Sequence, residues 1–108
     1  MTVYVVQEVP GRNVLGAKEY GTLEVLLPPG MNIVLSSTPT IRRLDKKLQN
    51  FCDEDYLLLI GDPAAIGIAC CVASNNNIGR MKLLKWDRER KEYYPVQIDL
   101  HKKGEESA

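Results

Sequence analysis

The run from Pro63 to Ser74, "PAAIGIACCVAS", contains no charged residue. It follows "YLLLI" (Tyr56 to Ile60), a continuous apolar stretch that suits a central strand covered on both faces. Gly61 and Asp62 close that strand. Asp62 is a favourable N-cap, and Pro63 fits the first helical position, where its missing N–H costs nothing. A helix is therefore expected over Pro63–Ser74. On a helical wheel Ile66, Ala69, Cys70 and Ala73 take one side, and Ala65, Ile68 and Val72 a second. Ala64, Gly67, Cys71 and Ser74 take the third. A helix that is apolar all round is buried all round, and one sheet covers only one side.

A chain of 108 residues makes about one domain, built in two or three layers. The first helix can cover part of the second, and another subunit the remainder. The third side consists of small residues, and Gly67 costs up to ~1 kcal/mol of helix propensity relative to alanine. Small residues let another backbone come close. The expectation is a tight contact through Ala64, Gly67, Cys71 and Ser74 with a symmetry-related copy, a homodimer. The other arrangement is packing within the chain, against the first helix or the Pro10–Gly21 loop.

"TVYVVQEV" (Thr2 to Val9) reads as a strand and "PGRNVLGAKEYG" as a long loop able to fold over a sheet edge. Thr22–Leu27 and Asn32–Ser36 read as strands, with Pro28-Pro29-Gly30 as the turn between them. A first helix is expected over Pro39–Phe51, with Thr38 as N-cap. Its apolar stripe is Ile41, Leu44, Leu48 and Phe51. "NNNIGR" stops the second helix. "MKLLKWD" and "EYYPVQIDL" form an antiparallel hairpin around "RERK". The whole reads as a small single α/β domain over residues 1–100. It has a mixed sheet of about six strands and two helices in consecutive β-α-β units, followed by a disordered polar tail at 101–108.

Several chemistries find no support. The formal net charge is zero, with 14 basic and 14 acidic residues. General nucleic-acid binding needs a cationic excess to displace counterions. The three cysteines, Cys52, Cys70 and Cys71, form no CxxC pair and read as buried thiols in a reducing cytoplasm. Cys70 and Cys71 are expected to react slowly and Cys52 sooner. With one histidine, His101, in the tail, neither a nucleophile–histidine arrangement nor a zinc site is expected. Asp53-Glu54-Asp55 lacks calcium-loop spacing and reads as a solvated turn. No signal peptide, membrane span, metal or cofactor is expected. Trp86, Tyr93 and Tyr94 are accounted for by cross-strand packing in the terminal hairpin.

The two strand-to-helix turns, "VLSSTP" and "LLIGDP", are alike. Both place free helix N–H groups at the carboxyl edge of the sheet, where open α/β sheets gather ligands. A nucleotide or anion site there would use Ser36, Ser37, Thr38, Gly61 and Asp62, with charge from Arg42 or Arg43. No GxGxxG or GxxxxGK[ST] is present, and Asp62 puts a carboxylate where a phosphate would sit. Arg42, Arg43, Lys46 and Lys47 otherwise form a solvated basic face.

In "GRNVLGAKEYGTLEVLLP", "YLLLIGDPAAIGIACCVA" and "KLLKWDRERKEYYPVQIDL" the chain resembles small uncharacterised proteins encoded by tailed phages, especially T4-like phages of cyanobacteria. The resemblance implies synthesis in a host cytoplasm and favours an interaction module, since small phage proteins often bind and redirect a host protein. It carries no site residues. The first reading is thus a non-enzymatic homodimer acting on a protein partner. The alternative is a protein that binds a nucleotide or anion at Thr38 and Asp62, possibly an enzyme on a phosphorylated ligand. An open crevice at those turns favours the second reading, and turns plugged by side chains favour the first.

Overall fold

The computed structural model describes residues 1–31 and 37–101. Five strands form one sheet among these residues: β1 (Thr2–Gln7), β2 (Thr22–Leu27), β3 (Tyr56–Leu58), β4 (Arg80–Asp87) and β5 (Glu92–Asp99), in the order β2-β1-β3-β4-β5. The first four run parallel and β5 is antiparallel to β4. The sheet is mixed, as expected. The strand expected at Asn32–Ser36 and most of the tail, 102–108, lie outside the described residues.

Two α-helices, α1 (Thr38–Lys47) and α2 (Pro63–Asn76), pack on one face of the sheet. A 3-10 helix at Leu15–Tyr20 packs on the other. Crossover handedness accounts for this division. Parallel crossovers are right-handed, so the direction of travel along the sheet selects the face. The passages β2-α1-β3 and β3-α2-β4 move one way, and β1 to β2 moves the other. The stretch expected to be an irregular loop is therefore the crossover of a parallel pair. Its helix was illegible because the six residues Leu15–Tyr20 carry no 3.6-residue period.

The strand periodicity of two serves both faces. In β1, Tyr4 and Val6 enter the core under α1 and α2 with Leu26, Leu44, Leu48 and Leu57. Val3 and Val5 enter a second core under the 3-10 helix with Ala17, Leu58, Ile60 and Leu84. This two-sided cover is why Tyr56–Ile60 is apolar without alternation, although the ladder itself takes only Tyr56–Leu58.

α1 ends at Lys47, earlier than expected; Leu48 caps it, and Phe51 N–H then bonds the Leu48 carbonyl. Phe51 is nevertheless buried, 5.9 Å from the Tyr4 ring. Asp55 departs from the expected solvated turn. It is buried and accepts from the N–H groups of Thr2 (3.0 Å) and Cys52 (3.1 Å), which fastens the start of β1 to the turn before β3. The hairpin is as expected: Trp86 stands opposite Tyr93 across β4 and β5, with ring centroids 4.9 Å apart.

Candidate functional site

α2 begins as its sequence directs. Asp62 is the N-cap, its carboxylate accepts from Ala64 N–H, and Pro63 opens the first turn. The helix runs on to Asn76, because Asn75 and Asn76 remain helical before Asn77 caps it. Ala65, Ala69, Val72 and Ala73 are buried against the sheet and α1, while Ile66, Ile68 and Cys70 are partly covered. Ala64, Gly67 and Cys71 face outward and are exposed. Ser74 is only half-exposed, and Asn75 continues the open face in its place.

The third side of α2 is thus left open by the described residues. α1 packs beside α2 but does not cover this side, and the Pro10–Gly21 segment lies on the opposite sheet face. Ile41 joins the open side. It was expected in the buried stripe of α1 but is 41% exposed. The inward positions of α1 are taken by Thr40, Leu44 and Leu48, one step round the helix. Ile41, Ala64, Gly67, Ile68, Cys71 and Val72 together line a groove of about 640 Å³, with Asp45 and Asn75 as its polar rim. A side chain at Gly67 would meet nothing within 4 Å. No crowding among the described residues requires a glycine there, although glycine costs ~1 kcal/mol in a helix.

The cysteines follow from this geometry. Cys71 is exposed on the open side, against the expectation of a buried pair, because it falls in line with Gly67. Cys70 is partly buried, and burial raises its thiol pKa. Cys52 is exposed, and its S–H donates to Asp55 Oδ2 at 3.4 Å.

The carboxyl edge of the sheet is built differently from an open crevice. Gln7, the last residue of β1, is 3% exposed. Its Oε1 accepts from Asp62 N–H at 2.7 Å, and its Nε2 donates to the carbonyls of Pro28 (3.2 Å) and Met31 (3.0 Å). Gly61 makes room for it, with φ +121°. Two N–H groups at the start of α2 are therefore engaged, one by Gln7 and one by the Asp62 carboxylate.

At α1 the N-cap is Ser37, which makes no side-chain cap bond, and Thr38 is the first helical residue. Ser36 lies outside the described residues. Arg42 is exposed. Arg43 donates from Nε to the Leu26 carbonyl at 3.0 Å, and Lys47 from Nζ to the Val25 carbonyl at 3.3 Å. Part of the basic face thus ties α1 to β2, one of the two edge strands among the described residues. Charged side chains along such an edge discourage pairing with another strand.

Among the described residues no group of three or more His, Cys, Asp or Glu is placed to hold a metal. None of their helices is long and apolar enough to cross a membrane. Residues 1–100 match the model of the family described as Phage Pam3 gp32-like protein. No curated protein and no solved structure matches the chain.

Proposed function

The chain belongs to the phage Pam3 gp32-like protein family, and on that basis we propose that it is an interaction protein of the host cytoplasm, acting on a protein partner as a homodimer built on α2. The observation that carries this reading is the open side of α2. It presents Ala64, Gly67, Ile68 and Cys71, with Ile41 of α1 beside them, and no charge among them. Exposed apolar patches of this kind mark contacts. A second α2 crossing at Gly67 gives that glycine a purpose, since close backbone approach is what glycine uniquely permits. An isologous two-fold contact needs one self-complementary patch, which a flat row of small residues supplies.

The alternative, a nucleotide or anion held at Thr38 and Asp62, has less to work with. Gln7 and the Asp62 carboxylate occupy the start of α2. Arg43 is tied to Leu26.

Sedimentation at about 10–50 µM, a range where a modest interface still associates, is expected to give a dimer. Labelling of Cys71 by a thiol reagent is expected to be fast in dilute protein and to slow as concentration rises, while Cys70 stays slow throughout. A monomer across that range, with Cys71 labelling independent of concentration, overturns the homodimer.

A further inference from the structure

A cavity of about 700 Å³ opens at the carboxyl ends of β3 and β4, beside the 3-10 helix and away from the groove on α2. Leu58 and Ile60 give it an apolar floor that is continuous with the second core. Trp86 and Tyr93 stand on its wall, edge to face. Trp86 is 47% exposed, so their mutual packing does not use up the indole surface.

Three cations, Arg12, Arg88 and Lys91, line the same space. The single ion pair among the described residues is Arg80–Asp53, so none of the three is neutralised in that way. Glu19 and Glu92 also line the cavity, which leaves the cations one ahead. Lys91 holds φ 54° in the hairpin turn. Glycine takes that conformation freely, whereas a lysine pays for it. Lys91 bears that steric cost in the turn and lines the cavity.

An exposed indole in a lining with an excess of positive charge matches a ligand in which a flat ring is joined to an anion. Bases stack on such side chains, and arginine and lysine form charge-assisted bonds to phosphate. The carboxyl ends of parallel strands are where open α/β sheets hold ligands. We infer that this cleft binds a nucleoside phosphate, with the base on Trp86 and the phosphate held by Arg12, Arg88 and Lys91. The site is separate from both helix N-termini and does not depend on the homodimer.

Trp86 is the single tryptophan of the chain, so its fluorescence reports on this cleft alone. The full chain is titrated with adenosine, guanosine, cytidine and uridine monophosphates to roughly millimolar concentration. At least one is expected to quench Trp86 saturably. Its nucleoside should bind about tenfold more weakly, and inorganic phosphate alone should leave the emission unchanged. Arg88→Ala/Lys91→Ala should weaken binding by about tenfold or more with the melting temperature held within a few degrees. Lys91→Gly should raise the melting temperature and lower the affinity together, opposite movements that a purely structural lysine would not produce. Absence of saturable quenching overturns the assignment. So does equal binding of nucleoside and nucleotide, or affinity unchanged in these variants.

Discussion

Replacing Gly61 with alanine is expected to cost about 3 kcal/mol or more of stability, from backbone strain and overpacking acting together. The new Cβ would fall 2.4 Å from Gln7 Cβ and 2.7 Å from Gln7 Oε1, on a backbone held at φ +121°. Alanine therefore displaces the side chain that joins β1 to the start of α2 and to the carbonyls of Pro28 and Met31. A domain of this size loses roughly 4–8 °C of melting temperature per kcal/mol, so a fall of about 12 °C or more is expected. Gly11→Ala is the control. Gly11 also has positive φ, at +83°, but a Cβ there meets nothing within 4 Å, so only the backbone cost of about 1 kcal/mol applies. Equal melting temperatures for the two variants would refute the role given to Gln7.

Cys71→Arg is expected to abolish the dimer in sedimentation at about 10–50 µM while leaving the fold intact. Cys71 is exposed, so arginine meets no core. In a two-fold contact the substitution places two guanidinium groups in one apolar patch, and an unpaired buried charge costs several kcal/mol. A loss of about 4 kcal/mol weakens association roughly a thousandfold. Gly67→Ala gives the same test from the other side. It should raise the stability of the monomer by up to ~1 kcal/mol through helix propensity, yet weaken association. A Cys71→Arg protein that still sediments as a dimer would move the contact away from α2.

How far the sequence disclosed these features depended on the range of the forces that set them. Pro39 and Pro63 marked both helix starts within a residue, because capping is local chemistry. The β4–β5 hairpin was legible for the same reason, its strands being joined by one charged turn. Residues on the open side of α2 were legible as a group, since Ala64, Gly67 and Cys71 share a face by spacing alone. Ile41 was misplaced because its burial depends on which way α1 rolls against the sheet. The parallel pairing of β1 with β2 was hidden by a crossover too short to show periodicity. Least legible was the cleft around Trp86. Its walls come from Arg12–Glu19, Leu58–Ile60 and Trp86–Tyr93, segments that meet only in the finished sheet.

Strand order also bears on how the chain acquires its structure. β3 is three residues long and sits at the centre of the sheet, between β1 and β4. One neighbour was synthesised some fifty residues earlier, and the other begins more than twenty residues later. Among the described residues only β4 and β5 pair across a short turn. Loop closure must precede the reward of each parallel pairing, which slows folding. On a ribosome adding about 5–20 residues per second, β1 and β2 emerge first and wait with an unpaired flank. The apolar stretch from Tyr56 to Ala73 then follows before β4 exists to seat it. During that interval this stretch is the part of the nascent chain with most to gain from a chaperone, and the emergence of Arg80–Asp87 ends the exposure.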